Sequence, residues 1–275
     1  VRTRWRRRGP YRKTDQAPVV IAAVKPPRGL MTQTGKAIHD FAMIRDGDRI
    51  LLGLSGGKDS LALLHILRNL QQRAPIKFEL AACTVDPQSP EYDPSPLKPY
   101  LAELGIAYFY ESQNIVEQAG SHMQGGSFCA YCSRMRRGIL YRVARENGCN
   151  VLALAQHLDD FAETFMMSTF FGGKLRTMQA HYLNDAGDIR IIRPLVYARE
   201  RQTRDFAKTA GLPVIHENCP ACFAMPMQRY QMKQLLADQE TRHKNLFASL
   251  LTAMKPIMAG INKGDRLDRG IDEGL

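Results

Sequence analysis

Residues 51–64 read LLGLSGGKDSLALL. An apolar run ends abruptly at Ser55-Gly56-Gly57-Lys58-Asp59-Ser60, and a second run then resumes with helical spacing. The pattern predicts a strand, a tight glycine loop and the N-terminus of a helix. Adjacent glycines let backbone N–H groups approach an anion with no Cβ in the way. Ser55 and Ser60 add hydroxyl donors and Lys58 a point charge. The helix dipole turns its positive end to the same spot. Such a loop holds phosphate or pyrophosphate. An ordinary βα turn has no use for Lys and Asp between the glycine pair and the serine. The spacing also differs from the Walker pattern, G-x-x-x-x-G-K followed by Ser or Thr.

Working outward, residues 33–44 carry Ala37, Ile38, Phe41 and Ile44 at helical spacing, ahead of an Asp46-Gly47-Asp48 turn. Residues 59–72 place Leu63, Ile66, Leu67 and Leu70 on one helix face, and 78–85 (FELAACTV) read as the next strand. This is a βαβ unit, the usual setting for a nucleotide site at strand C-termini. Ser95 is placed to cap a short helix with Pro96 at its first position. Further strands are expected at 107–110, 151–155 and 189–193. Helices are expected at 97–104, 133–147, 161–171, 200–210 and, unbroken, 227–253. The alternation argues for an α/β fold, an open and mostly parallel sheet with helices on both faces. Residues 1–30 are expected to be a basic mobile arm, 31–255 one domain, and 256–275 a flexible tail.

The composition is that of a globular protein, with 44% hydrophobic and 24% charged residues. No apolar run approaches the roughly eighteen residues a membrane span needs. A soluble, cytoplasmic protein is therefore expected. The net charge is +11, of which residues 1–14 (VRTRWRRRGPYRKT) supply +7 and the rest +4. That first segment has no apolar h-region, so it does not read as a secretory signal. A basic chain suits a polyanionic partner.

Four of the six cysteines form two Cys-x-x-Cys pairs, Cys129/Cys132 and Cys219/Cys222, roughly ninety residues apart. Without a signal peptide, such pairs point to metal or redox chemistry rather than to disulfides. Four thiolates could close a tetrahedral zinc site, and three or four could hold an iron–sulfur cluster; spacing does not choose between them. Cys83 and Cys149 lie in or beside apolar strands and read as core. Directly after the first pair come Arg134, Arg136, Arg137, Arg142 and Arg145, with no acid before Glu146. Guanidinium forks bind phosphates bidentately, so this run suits a nucleic-acid backbone. His157, Asp159 and Asp160 fall just past a strand end, where carboxylates could hold Mg²⁺ against phosphates; Asp159 could equally be a helix N-cap.

With these residues in hand, the chain resembles the TtcA family of tRNA 2-thiocytidine synthetases, within the PP-loop ATP pyrophosphatase superfamily. The resemblance is carried by residues 37–72, by CAYCSRMRRGILYRVA (129–144) and by QHLDDFAETFMMSTFFGGKLRTM (156–178). IIRPL (191–195), the late CPAC (219–222) and PMQR (226–229) complete it. SGGKDS alone would place the chain only in the superfamily. The CxxCSRxRRG run together with HxDD and FxGGK makes the likeness specific. It implies ATP-dependent replacement of the C2 oxygen of a cytidine by sulfur, at position 32 of the tRNA anticodon loop. It also implies ATP and Mg²⁺ at Ser55, Gly56, Gly57, Lys58, Asp59, Ser60 and His157, with Lys58, Asp59 and Asp160 catalytic.

A [4Fe–4S] cluster on Cys129, Cys132 and Cys222 is implied in the same way, with Cys219 as the alternative third ligand. Three cysteines would leave one iron open to a hydrosulfide; a persulfide on Cys129 or Cys219 is the other route. Arg134, Arg136, Arg137 and Lys174 are the implied tRNA contacts. A cysteine desulfurase or sulfide is the expected sulfur donor, and a homodimer the expected assembly. Three other readings stay open. One is a related 2-thiouridine synthetase or desulfurase, another a zinc-stapled RNA-binding protein, and the third an amide-forming ATP pyrophosphatase.

Overall fold

The computed structural model describes residues 24–89, 92–115, 128–215 and 228–259, with only the backbone of 128–130. The loop at 120–127, the pair Cys219/Cys222, most of the basic arm and the residues after 259 lie outside it.

Strand β1 (Asp48–Gly53) is fully buried at Ile50, Leu51 and Leu52, as a central strand of an α/β sheet must be. Helix α2 (Lys58–Arg73) returns along one sheet face, and β2 (Phe78–Asp86) pairs parallel to β1. Next come α3 (Leu97–Glu103), β3 (Ala107–Ser112) and α4 (Phe128–Glu146). After them the chain forms β4 (Val151–Ala153), α5 (Leu158–Gly172), β5 (His181–Leu183) and β6 (Arg190–Ile192). The strand order is β3-β2-β1-β4-β6-β5, all parallel except the β5–β6 pair.

Alternate residues of the strands feed two cores. Ile50 and Leu52 of β1 join Leu61, Leu64 and Leu67 of α2 on one face. Leu51, Ala81, Cys83 and Leu152 meet Ile139, Leu140 and Val143 of α4 on the other. Helices thus cover both faces, as the alternation of elements requires.

Four further helices join α2, α3 and α5 around the first of these cores: α1 (Arg28–Asp40), α6 (Glu200–Thr209), α7 (Gln228–Arg242) and α8 (Leu246–Met258). Several local expectations need correction. The first helix starts at Arg28 rather than 33, with Leu30 already in the core. The helix expected at 227–253 is two helices, broken at residues 243–245, where no glycine or proline marks the break. Ser95 does not cap α3; its hydroxyl donates to Asp93 instead. Strand β5, three residues long, escapes a periodicity reading altogether.

The order of the strands sets the position of any site. From β1 the chain runs first to β2 and β3 on one side, then crosses to β4 on the other. The crevice between the C-terminal ends of β1 and β4 is therefore the topological switch point, where ligands bind in open α/β sheets.

At the opposite edge, Asp48 ties the strand N-termini together. It accepts from the Arg45 backbone N–H at 2.7 Å, from Asn150 at 2.9 Å and from the Arg190 guanidinium. The Asp48 and Arg190 side chains are only 4% and 10% exposed, so removing the carboxylate would leave a buried cation. Asp48→Ala is expected to cost about 3–5 kcal/mol of unfolding free energy. Urea denaturation measures this, and a loss below about 1 kcal/mol would show that the ion pair is dispensable.

Candidate nucleotide site

The glycine loop follows β1 and opens α2 at the switch point. Gly56 has a φ of +85°, which a side chain would strain, and a Cβ there would come 2.7 Å from Cδ1 of Ile215. The Ile215 N–H also donates to the Gly56 carbonyl at 2.9 Å. Tyr92 donates its hydroxyl to the Ser55 carbonyl at 2.8 Å. The Gly57 N–H donates to the Ser55 hydroxyl at 3.2 Å, and Ser60 donates to the Gly57 carbonyl at 2.9 Å. The loop is held in shape from both sides by groups distant in sequence.

Lys58 lies 2.9 Å from Asp59 and 3.0 Å from Glu200. Burial alone would lower its pKa; the two carboxylates outweigh that and raise it above the usual lysine value. The ammonium is thus charged at neutral pH, as a phosphate ligand must be. Asp59 also accepts from the Thr203 hydroxyl. Glu200 takes Lys58 on one oxygen and Lys233, at 2.7 Å, on the other. Burial opposes ionisation of Glu200, but Lys233 and Lys58 prevail and hold its pKa near about 2.

The second strand end brings His157, Asp159 and Asp160 to the same crevice. His157 is the N-cap of α5: its Nδ1 accepts from the Asp160 N–H, and the Asp160 carboxylate accepts from the His157 N–H at 2.9 Å. This reciprocal capping box fixes Nδ1 as the acceptor and leaves Nε2 facing Asp59 at 3.7 Å. Asp159 is therefore not the cap. It binds Arg199 through both oxygens and accepts the Glu200 N–H at 2.7 Å. Arg229 approaches Asp160 at 3.8 Å and Glu163 at 3.5 Å.

Lys58, Asp59, His157 and Asp160 are thus gathered in one place by the two strand ends. Glu163, Arg199, Glu200, Thr203, Arg229 and Lys233 join them. Sequence reasoning did not single out the last six as site residues. The available signal was position: the ARERQT run opens a helix soon after β6, at the same sheet edge. A cleft of about 450 Å³ lined by Arg45, Asn150, His181 and Arg190 lies at the other edge and does not belong to this site.

Helix α4 runs back against the parallel strands. Arg145 in its last turn pairs with Asp188, just before β6, at 2.6 Å, so its first turn opens at the nucleotide edge. Cys132 lies there, half-buried and packed on the core with Tyr131 and Met135. Cys129 opens the same helix, while Cys219 and Cys222 lie outside the described residues. Cys83 and Cys149 are core residues, as expected. Burial drives the Cys83 thiol pKa far up and that of Cys149 to about 12, and both are packed in the core. Metal or redox chemistry on thiols is thus left to the two Cys-x-x-Cys pairs. Among the described residues no three His, Cys, Asp or Glu side chains are grouped to hold a metal.

The arginine run divides. Arg142 pairs with Glu111 at 2.8 Å and Arg145 with Asp188. Arg134 is exposed, whereas Arg136, Arg137 and Lys174 are half-buried. Among the described residues no helix is long and apolar enough to cross a membrane.

Residues 30–223 match the family described as the PP-loop domain. The chain is 44% identical over 223 residues to the tRNA-cytidine(32) 2-sulfurtransferase of Geobacter sulfurreducens. That match covers 80% of this chain and 86% of the relative. It is 43% identical to the protein of the same name from Pelobacter propionicus, over 84% of this chain and 86% of the relative. Among solved structures it is similar to the U34-tRNA thiolase NcsA from Methanococcus maripaludis with its [4Fe-4S] cluster. The TM-score is 0.66 at 23% identity, covering 85% of this chain and 80% of that one, a likeness of fold.

One carboxyl of the site carries a pH signature. Burial first, and then the neighbouring Asp160 carboxylate, push the Glu163 pKa up to about 7 from 4.5. The folded chain holds this proton more tightly than the unfolded chain. Its stabilising contribution is thus full below 4.5 and is lost as pH rises through about 7. Glu163→Gln is expected to flatten the fall in melting temperature between about pH 5 and about pH 8. Thermal melts across that range check it, and an unchanged slope would place the titration elsewhere.

Proposed function

The chain belongs to the PP-loop family and, within it, to the tRNA-cytidine(32) 2-sulfurtransferases, and on that premise we propose that it activates the C2 oxygen of a tRNA cytidine with ATP and exchanges that oxygen for sulfur. The observation that carries the reading is the meeting of Lys58 and Asp59, after β1, with His157 and Asp160, after β4, at one switch-point crevice.

A base carbonyl is a poor electrophile with no leaving group of its own. Attack of the cytidine O2 on the α-phosphorus of ATP forms an O–P bond and breaks the α–β phosphoanhydride, whose electron pair leaves with pyrophosphate. Negative charge grows on that pyrophosphate. The Lys58 ammonium and the first turn of α2 offset it, with Ser55, Gly56, Gly57 and Ser60 shaping the cradle. Asp59 and Asp160 would hold Mg²⁺, an ion that takes most of its ligands from phosphates and water and so needs few carboxylates. His157, buried and fixed by its capping box, positions Asp160. Sulfur then adds at C2, and the C2–O bond breaks with AMP as leaving group.

Cys129, Cys132 and Cys222, with Cys219 as alternative to the last, would hold a [4Fe–4S] cluster that supplies the sulfur chemistry. The sulfur itself would come from a cysteine desulfurase or from sulfide. Arg134, Arg136, Arg137 and Lys174 would bear on the tRNA backbone, and the cytoplasm is where such a substrate is met.

Mass spectrometry of tRNA nucleosides from cells lacking the protein tests this. 2-Thiocytidine is expected to disappear and to return with the wild-type chain. With Lys58→Ala it is expected to stay at least ~100-fold lower. Loss of 2-thiouridine alone would overturn the base assignment. Anaerobic iron and sulfide analysis of Cys222→Ala should show a depleted cluster, and full retention with unchanged activity would remove Cys222 from it.

A further inference from the structure

Helix α7 begins six residues after Cys222, at Gln228, and buries only Met232 and Leu236. Three of its polar residues turn to the nucleotide site. Arg229 reaches Asp160 and Glu163, and Glu240 reaches Arg199. Lys233, one turn beyond Arg229 on the same face, reaches Glu200.

The Glu200 contact is unusual for a surface lysine. Glu200 is 17% exposed and uses its other oxygen on Lys58 of the glycine loop. A single carboxylate therefore joins the loop lysine to a lysine from a helix more than 170 residues away in sequence. A phosphate arriving at Lys58 meets that carboxylate as a like charge. Lys233 is the group that counters it. Lys233 is also half exposed on a four-carbon stem, so it can follow an anion without disturbing the core.

Lys58, Arg229 and Lys233 share the crevice with the Asp59, Asp160 and Glu200 carboxylates and with Glu163. Arg199 is already engaged by Asp159 and Glu240. A triphosphate in this crevice needs every cation that can be turned towards it.

We propose that Lys233 is a second phosphate-binding lysine of the nucleotide site, held beside Lys58 by Glu200 and turned onto the pyrophosphate portion of ATP when the nucleotide binds. As the α–β phosphoanhydride breaks, Lys58 and Lys233 share the charge that leaves with pyrophosphate. The inference rests on the ATP-dependent reading given above and deepens it.

Equilibrium binding of ATP, inorganic pyrophosphate and AMP to the full chain, its Lys233→Ala variant and its Lys233→Arg variant tests this. Lys233→Ala is expected to weaken ATP and pyrophosphate about tenfold and to leave AMP unchanged. Lys233→Arg is expected to recover most of the loss. Parallel weakening of all three ligands would show that Lys233 only holds the site in shape and would overturn the proposal, as would no change for any of them. A wild-type chain that binds neither ATP nor pyrophosphate would remove the proposed function and this inference together. A wild-type chain that binds both but thiolates a different base would correct the function alone.

Discussion

The arrangement of the nucleotide site depends on one guanidinium. Arg199 is 12% exposed at its side chain and binds Asp159 of α5 and Glu240 of α7, while its Cζ lies 3.3 Å from the centroid of the Phe247 ring of α8. Helix α5 is thereby joined at one residue to the consecutive helices α7 and α8. Burial disfavours the charged guanidinium, yet its two carboxylate partners hold its pKa above the usual value. A planar fork can satisfy two carboxylates and stack on a ring at once; an ammonium cannot. The next residue, Glu200, starts α6 and points at Lys58. What fixes Arg199 therefore fixes the acid that positions the loop lysine.

The glycine loop is constrained in turn by a residue far along the chain. Gly56 occupies a left-handed conformation, and the side chain of Ile215 fills the space where a Cβ would stand. The cradle is thus completed only after the chain has built five strands beyond β1 and returned. Four residues further on, Cys219 opens the late pair. At most roughly 14 Å of extended backbone separates them. The described chain thus stops at Ile215 against the phosphate loop and resumes at Gln228, one residue before Arg229 of the site.

The sequence made some of this legible and not the rest, for identifiable reasons. SGGKDS, the strand before it and the helix after it form a local motif whose chemistry sits in consecutive residues. The alternation of apolar runs gave the parallel sheet. Strand β5 could not be seen because three residues, partly buried, carry no period. Asp159 looked a possible cap of α5 because Asp is the commoner cap, but His157 takes that place. Nothing local announces that Arg199, forty residues on, will claim the aspartate. Glu200, Thr203 and Lys233 were missed for the same reason: their partners Lys58 and Asp59, or the acid that binds them, are more than thirty residues distant.

The arginine run on α4 shows how topology refines a composition argument. Five arginines in sequence look like one basic face, but a helix between parallel strands has two ends at two edges of the sheet. Arg145 belongs to the far edge and is neutralised there by Asp188, and Arg142 is paired with Glu111 across the sheet surface. The helix start, with Cys129, Cys132 and Arg134, belongs to the edge that holds Lys58. A polyanion guided by this helix would therefore be drawn to the nucleotide edge and not along the whole face. An RNA base entering the crevice would have its backbone beside the same turn that carries the first cysteine pair. On the proposed function, phosphate attraction, base activation and sulfur delivery would converge because one helix must begin where the sheet ends.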